Sequence, residues 1–370
     1  MHIYDLEIMG IAAVTAAACA LPGVFLVLRR NVMLSDAISH TVLLGIVLGF
    51  FLTGDLSSPV LILGAAAVGV LTVTLTALLE RTRLVREDAA VGLVFPALFS
   101  LAVILITTHA ANVHLDVDAV LVGEIAFAPF DRFAPFGADL GPRGLFVMGG
   151  ILLINLAFIV VFYKELKLST FDAGLAATLG FMPGLIHYGL MALVSVTVVG
   201  AFDIVGSILV VALMVAPAAS AYLLTDRLPR LLGLSALFGV ASALSGYWLA
   251  TLLDVSIAGA MATMAGVLFA LVFIFAPERG LLAGARRRAR QRWDFAQTML
   301  AIHLLNHEGL PEAAEESRVA HMQEHMRWTP DFAARVVRRA EARNWIRREN
   351  GHLALTPAGR RAAEATLATT

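Results

Sequence analysis

Long apolar runs, separated by short polar stretches, dominate the first three quarters of the chain. A helix that crosses a membrane needs about 20 apolar residues. Nine segments meet that length, at 8–28, 32–52, 60–79, 89–107, 144–163, 181–199, 204–224, 231–252 and 257–275. The pattern predicts an all-α polytopic membrane region of about nine transmembrane helices, in which the second and seventh contain polar or proline interruptions.

Beyond residue 278 the pattern changes to shorter, charged amphipathic segments. The basic stretch ARRRARQR at 285–292 is typical of a stop-transfer anchor near anionic headgroups. Three helical patterns follow, then a tight turn at Asn350-Gly351 between two short strands, then a helix that starts with proline. This order is that of a winged helix. We predict a transmembrane domain at 1–278, a basic juxtamembrane linker at 279–294 and a small cytoplasmic winged-helix-like domain at 295–370.

The composition supports a membrane location. The chain is 59% hydrophobic and 15% charged, against roughly 45–50% and 25% in soluble domains. The single cysteine, Cys19, excludes a disulfide framework or a cysteine-based metal site within one chain.

Charge is unevenly distributed along the chain. Residues 279–370 carry 16 Arg and 10 acids, a net charge of +6, and the rest carries 11 Lys+Arg and 18 acids, a net charge of −7. Basic residues occupy alternate loops, starting with Arg29 and Arg30, whereas the loops TGDLSS, GAFD and LDVS have none. Because cytoplasmic loops are enriched in Lys and Arg, we expect a multi-pass protein of the inner or plasma membrane, with its N-terminus outside and its C-terminal domain in the cytoplasm.

Asp36 and His40 interrupt the second apolar run, in the segment LSDAISH. Residues four apart share one face of a helix. Ionisable groups inside a membrane are costly and usually line a bundle interior or a substrate path, and a carboxylate beside an imidazole suits Mn²⁺, Fe²⁺ or Zn²⁺. A structural hydrogen bond between the two, or a helix cap formed by Ser35 or Asp36, explains the spacing equally well.

Other acids and histidines lie in the predicted outer loops. Asp203, in GAFD, is a further candidate for the same path or an ordinary polar loop residue. His114 and Asp116 lie in an acidic, histidine-containing segment at 109–127 and are candidates for an outer metal entry. A docking surface for a partner is the favoured explanation of that segment.

A nucleotide site is not expected in this chain. A P-loop requires G-x-x-x-x-G-K-[ST], and the two lysines, Lys164 and Lys167, stand in YKELKLST with no glycine-rich lead. The chain is therefore not an enzyme by this criterion, and active transport would need a separate ATPase subunit or an ion gradient. The segment 164–184 predicts a short helix rich in small residues, which fits a cleft on a partner or simply leads into the next span.

Five stretches resemble the membrane permease of zinc, manganese and iron ABC importers, the ABC-3 type, in collinear order over residues 5–277. They are LRRNVMLSDAISHTVLLG at 28–45, EDAAVGLVFPALFSLAVIL at 87–105, LDVDAVLVGEI at 115–125, KELKLSTFDAGLAATLGF at 164–181 and VGSILVVALMVAPAASAYLLTDRLPR at 205–230.

The resemblance implies a type II importer-like fold with no permanently bound cofactor. It also implies a second permease copy or sister permease, cytoplasmic ATPase subunits and an extracytoplasmic metal-binding protein. In such permeases the acid and histidine of the S-D-A-x-S-H segment, here Asp36 and His40, are implicated in the metal path. The helix that couples to the ATPase would fall within 168–180. Its candidate residues are Ser169, Thr170, Asp172, Ala173, Gly174 and Gly180.

The tail resembles the DNA-binding half of diphtheria-toxin-repressor-type metalloregulators. It is explained by DNA binding, by regulatory contact with the ATPase or another copy, or by passive packing. Phosphate contacts would come from the third helix, through Arg335, Arg338, Arg339 and Arg343. Tethering to a membrane makes genomic DNA awkward to reach, so regulatory protein contact is favoured.

Two histidine pairs in the tail, His303/His307 and His321/His325, each have the spacing of one helical turn. Together they are a candidate cytosolic metal sensor, or they are core and rim residues of the fold.

The function predicted is that of the permease subunit of an ATP-driven importer of divalent transition-metal ions. Mn²⁺ and Fe²⁺ are favoured over Zn²⁺, because regulators that resemble the tail respond to those ions. The alternatives are a membrane-tethered, metal-responsive transcriptional regulator and a gradient-driven carrier.

Overall fold

A computed structural model of the protein describes residues 3–54, 58–109, 125–133, 139–319, 321, 325–349 and 351–368. The chain divides into two compact units, Met1–Gly280 and Leu281–Thr370. Each unit has its own hydrophobic core.

The first unit consists of long apolar helices. They are α1 (Ile3–Leu28), α2 (Val32–Thr53), α3 (Pro59–Arg81), α4 (Glu87–His109), α5 (Arg143–Val161), the short α6 (Tyr163–Phe171) and α7 (Ala173–Thr178), α8 (Pro183–Leu224), α9 (Leu228–Leu253) and α10 (Ile257–Phe275). A 3-10 helix, Ile125–Phe130, precedes α5. Within the described residues, eight of these helices are long and apolar enough to cross a membrane, namely α1–α5 and α8–α10. The predicted all-α polytopic membrane region is confirmed.

The 42-residue helix α8 contains a reversal of chain direction. Gly206 lies inside it with φ 76° and ψ 164°, a conformation that is essentially restricted to glycine. Asn155 Nδ2 donates to both Ala18 O (2.8 Å) and Thr197 Oγ1 (3.1 Å), so Thr197 lies level with Ala18 of α1.

Met214 also lies beside α1, only a short distance farther along it. A methyl group on Gly23 would be 2.0 Å from Met214 O. The 17 residues from 197 to 214 would span about 25 Å in a straight helix, whereas positions 18 and 23 of α1 are about 7.5 Å apart. The two arms of α8 therefore run antiparallel beside α1, and they correspond to the predicted sixth and seventh spans. The predicted loop GAFD is helical, and the turn comes at Gly206 instead.

Helices of this unit approach one another closely through glycines. A methyl group on Gly45 of α2 would be 2.4 Å from Gly64 O of α3, and one on Gly246 of α9 would be 2.3 Å from Met261 Cα of α10. Small residues permit such backbone contact, which stabilises helix association in lipid. The packing of α2 against α3 matters here because α2 carries Asp36 and His40.

The second unit contains helices around a small apolar core. Its elements are α11 (Leu281–His307), α12 (Ala313–Glu316), α13 (Pro330–Ala342), β1 (Ile346–Glu349), β2 (His352–Leu355) and α14 (Pro357–Leu367). Strands β1 and β2 pair antiparallel, with Ile346 opposite Leu355. Leu300 of α11, Val336 of α13 and Leu353 of β2 are buried in the core that these elements share. The small region with a short sheet agrees with the predicted fold class, and residues 281–294, predicted as a linker, form the first half of α11.

Candidate metal path, coupling surface and histidine cluster

Asp36 and His40 lie one turn apart inside α2, and the structure places them on the same face. Asp36 Oδ1 is 3.7 Å from His40 Nε2, and their side chains are 49% and 27% exposed. This separation is longer than a hydrogen bond, so the two groups are neighbours rather than a bonded pair. Because α2 begins at Val32, neither Ser35 nor Asp36 is its N-cap.

The neighbouring stripe of α2, which carries Ser35 and Ser39, is satisfied by local hydrogen bonds. Ser35 Oγ donates to Val32 O and Ser39 Oγ donates to Ser35 O, both at 2.8 Å. Both serines are buried. Their hydroxyls are therefore satisfied within α2, and Asp36 and His40 are the polar groups that this part of the helix offers to its surroundings.

Two aromatic rings of α4 hold the imidazole of His40. The ring of Phe95 is 5.2 Å from it and tilted, and the ring of Phe99 is 6.0 Å from it and edge-on. The phenyl rings limit how far the imidazole turns, while the carboxylate of Asp36 remains half exposed. The arrangement sets one half-exposed carboxylate oxygen beside one imidazole nitrogen whose ring is packed against aromatic side chains.

Asp203 lies far from this pair. A methyl group on Gly69 of α3 would be 2.2 Å from Ser195 Oγ and 3.4 Å from Ile38, so Ser195 lies level with the Asp36–His40 turn. Asp203 follows Ser195 by eight residues, about 12 Å along the helix axis, and it is exposed near the Gly206 turn. His114 and Asp116 fall outside the described residues.

An ion-pair cluster near the start of α1 ties Arg132, which follows the 3-10 helix, to Glu7 of α1. Arg132 Nη1 donates to Glu7 Oε1 (2.8 Å), and Arg132 Nε donates to Asp139 Oδ2 (2.9 Å). The hydrogen bond from Arg132 holds the pKa of the Asp139 carboxyl below its usual range, assisted by the backbone N–H of Gly141. The carboxylates of Glu7 and Asp139 are thus engaged by arginine, which leaves them poor candidates for metal capture.

The predicted coupling residues Ser169 and Thr170 are fastened to the end of α1 by Arg29. The Arg29 guanidinium donates to Ser169 Oγ (2.8 Å) and Thr170 Oγ1 (3.1 Å), and its Nη1 lies 3.2 Å from His187 Nδ1. Burial lowers the pKa of Arg29 from its usual value. The sequence pattern marked Arg29 only as a basic flank, because the long-range contacts of a cation are not encoded in its local spacing.

The rest of the coupling segment forms an exposed surface, here called the coupling surface (168–182). Asp172 is the N-cap of α7, and its Oδ1 accepts from Leu175 N at 2.8 Å. Ala173 and Gly174 are exposed in the first turn of α7, and Gly180 ends the segment with φ +85°. Large apolar side chains are exposed around them, at Phe171 (60%), Leu175 (47%), Leu179 (58%) and Met182 (69%). A contiguous apolar patch rimmed by polar residues is typical of a protein docking site.

In the second unit the four predicted histidines come together around a fifth residue, Glu316. Glu316 Oε2 is 3.2 Å from His303 Nε2 and 2.9 Å from His321 Nε2. The rings of His307 and His325 lie 4.7 and 5.3 Å from that of His303. The sequence drew no attention to Glu316, because it lies in a different helix from either pair and no spacing rule connects them.

The arginines predicted to contact DNA phosphates are in large part engaged inside the second unit. The guanidinium of Arg339 lies 4.2 Å from the centre of the Trp293 ring, and that of Arg335 lies 5.7 Å from it. Arg343 forms an ion pair with Asp294. These contacts give the arginines a packing role.

Comparison with known proteins gives a family match to the first unit and a relative that covers nearly the whole chain. A profile of the ABC 3 transport family matches residues 6–276. The chain is 51% identical over 362 residues to the zinc transport system membrane protein TroD of Treponema pallidum, and the aligned region covers 98% of either chain. It is 48% identical over 279 residues to the manganese transport system membrane protein MntD of Bacillus subtilis, covering 75% of this chain and 94% of that one.

A solved structure has the same architecture. PsaBC from Streptococcus pneumoniae, in complex with Fab, matches with a TM-score of 0.63 at 28% identity, over 75% of this chain and 94% of the other. The match to TroD, unlike those to MntD and PsaBC, extends through the second unit.

Proposed function

This chain belongs to the ABC 3 transport family and is an integral membrane permease of the metal ABC importer type, and from that premise we propose which residues carry the ion and which receive the motor. Asp36 and His40 form the protein side of the path for a divalent transition-metal ion. The observation that carries this proposal is a half-exposed carboxylate beside a partly exposed imidazole on an apolar membrane helix.

The exposure of Asp36 argues that another surface covers it in the membrane. A carboxylate that faces hydrocarbon is costly and normally faces a bundle interior or a water-filled cavity. A second permease, either another copy or a sister chain, would meet this face and supply a second pair of ligands across a two-fold axis. A dehydrating cation would then be held by two carboxylates and two imidazoles, a mixed O/N set suited to Mn²⁺, Fe²⁺ or Zn²⁺.

The coupling surface is the proposed docking site for a cytoplasmic ATPase subunit. Its exposed apolar side chains at Phe171, Leu175 and Leu179 would bury against a cleft, and Arg29 connects this surface to α1. The basic residues in alternate loops support a cytoplasmic location for this surface and for the second unit, with the N-terminus outside. An extracytoplasmic metal-binding protein would deliver the ion from the opposite face.

The choice of metal stays a prediction in favour of Mn²⁺ or Fe²⁺ over Zn²⁺. One relative is named for zinc and another for manganese, so the comparisons favour neither. The pair Asp36 and His40 accommodates all three ions, because carboxylate suits Mn²⁺ and imidazole suits Zn²⁺ and Fe²⁺.

For the second unit we propose a winged-helix-like module that regulates transport through protein contact. The helices and the β1–β2 hairpin occur in the order such a module has. DNA binding is less well supported, because Arg335 and Arg339 stack on Trp293 and would have to leave that ring to reach phosphates.

The metal path is tested by uptake. Mn²⁺, Fe²⁺ and Zn²⁺ are assayed side by side in cells that express the chain with its partner subunits, comparing Asp36→Asn and His40→Ala with the parent. We expect uptake of the preferred ion to fall on the order of tenfold or more, since even indirect changes at a metal site cost roughly 10–100-fold. Asp254→Asn, the same chemical change at the exposed end of α9, is the matched control and should transport normally. Unchanged uptake of all three ions in Asp36→Asn would rule out the assigned ligand role.

A further inference from the structure

Five side chains of the second unit converge from separate parts of its sequence. His303 and His307 lie one turn apart at the end of α11, Glu316 ends α12, and His321 and His325 follow it. Glu316 joins the two pairs, because its carboxylate approaches a histidine from each. Two groups of three ligand atoms result, His303–His307–Glu316 and Glu316–His321–His325, and within each group all atoms lie within 4.8 Å of one another.

The Glu316 carboxylate is largely buried and its charged neighbours in the described residues are imidazoles. The side chain of Glu316 is 14% exposed and that of His303 is 6% exposed. A buried anion is unfavourable unless it is paired or coordinates a metal.

Several polar atoms of the cluster lack a hydrogen bond. Glu316 Oε2, His307 Nδ1 and His321 Nε2 are buried and make no hydrogen bond with any described residue. Glu316 Oε2 and His321 Nε2 are 2.9 Å apart, which is within hydrogen-bond distance, but the angles do not form a hydrogen bond. Buried unsatisfied groups are rare in folded proteins, and an absent ion is one recognised explanation.

We propose that Glu316, with His303, His307, His321 and His325, forms a binding site for one divalent transition-metal ion, distinct from the transported ion at Asp36 and His40. Imidazole nitrogens with one carboxylate oxygen favour Zn²⁺, Fe²⁺, Co²⁺ or Mn²⁺ over the all-oxygen ions Mg²⁺ and Ca²⁺. This site goes beyond the permease function and does not depend on it.

Within each group of three, the side chains need only a small adjustment to bind an ion. Ligands at about 2.0–2.1 Å from a tetrahedral ion lie about 3.3 Å from one another, so the outer members of each group move inward by up to about 1.5 Å. A cavity of about 720 Å³, lined by His303, His307 and His325 among others, gives an ion and its water access to the site.

Metal binding here would join α11 to the segment after α12. His303 and His307 belong to α11, whereas His321 and His325 belong to the chain that leads to α13. One ion held by both would fix the separation of these two segments. Metal occupancy then controls the order of this side of the second unit.

The test uses the full-length chain, purified in detergent, with Asp36→Asn and His40→Ala introduced to remove the transport site. Co²⁺ is titrated and its visible absorption recorded, because the band intensity reports low coordination number with nitrogen ligands, and Zn²⁺ is then used to displace it. We expect one Co²⁺ per chain. Glu316→Gln and His321→Ala should each weaken binding by roughly tenfold or more.

His352→Ala is the matched control. His352 lies in the same unit and contacts Ser317 Oγ at 3.0 Å, but it is outside the cluster, so its loss should leave Co²⁺ binding unchanged. Because His303 is buried and its replacement risks unfolding, it is left unchanged. The variants are placed at Glu316 and at the partly exposed His321, and each must show the metal-free unfolding temperature of the parent. Co²⁺ binding that is absent from the parent, or as strong in Glu316→Gln and His321→Ala as in His352→Ala, would overturn the proposal.

Discussion

Replacing Gly45 by alanine should loosen the helix pair that carries the metal-path residues. The added methyl group would lie 2.4 Å from Gly64 O and 2.5 Å from Ala65 Cα. Ordinary contact begins at 3.4 Å, so α2 and α3 must separate by about 1 Å. Both obstacles are backbone, which side-chain rotation does not relieve, and overpacking of this kind costs roughly 1–3 kcal/mol.

The helix propensity of alanine works in the opposite direction. Alanine is favoured over glycine by about 1 kcal/mol in a helix interior, which partly offsets the clash. Gly150→Ala in α5 shares this gain but meets no atom within 4 Å, so the difference between the two variants isolates the steric cost.

The measurement is thermal unfolding of the purified chain in detergent, together with metal uptake. The entropy of unfolding is about 2.1 cal/mol/K per residue, so each kcal/mol lowers the melting temperature of this 370-residue chain by about 1.3 °C. Gly45→Ala should therefore melt roughly 1–4 °C below Gly150→Ala. Uptake should also fall, since Asp36 and His40 move with α2. Equal melting temperatures for the two variants would show that α2 and α3 do not pack through these glycines, and the close approach would then be wrong.

Two further changes probe the first unit. Arg29→Gln should reduce the amount of metal moved per ATP hydrolysed, because the contacts to Ser169 are charge-assisted, whereas Arg30→Gln should leave it unchanged. The ratio of uptake to ATPase rate in the assembled transporter measures this, and equal ratios in the two variants would count against a link through Arg29. Gly206→Ala should destabilise the chain by about 1–3 kcal/mol, because its φ of 76° with ψ of 164° suits glycine alone. Gly184→Ala in the same helix is the control, because the added methyl group meets open space. Indistinguishable unfolding temperatures for the two variants would contradict the reversal at Gly206.

Sequence patterns located the membrane helices because hydropathy and span length are local properties. The predicted segments 32–52 and 257–275 differ from α2 and α10 by one residue at most. Hydropathy does not report chain direction inside a helix-forming stretch. The sequence pattern therefore predicts the turn after the sixth span at GAFD, whereas in the structure the chain turns at Gly206.

Among the candidate sites, those built from residues close in sequence were predictable, and those built from distant residues were not. The Asp36–His40 pair was predictable, because its geometry follows from the helical repeat. The contacts of Arg29 with Ser169 and the role of Glu316 were not, because each joins residues from different helices. Such contacts depend on tertiary packing, and in a single sequence nothing distinguishes the participating residues from solvated charges.

The anchoring of Ser169 and Thr170 by Arg29 has a mechanical consequence. Only seven positions separate this arginine from Asp36, and α1 and α2 are joined by a connection of three residues. A force on the proposed ATPase-docking surface would thus reach Asp36 and His40 through a short connection. The proposed ion path and the proposed motor contact are therefore separated by few residues, so little of a movement at one would be lost before it reached the other.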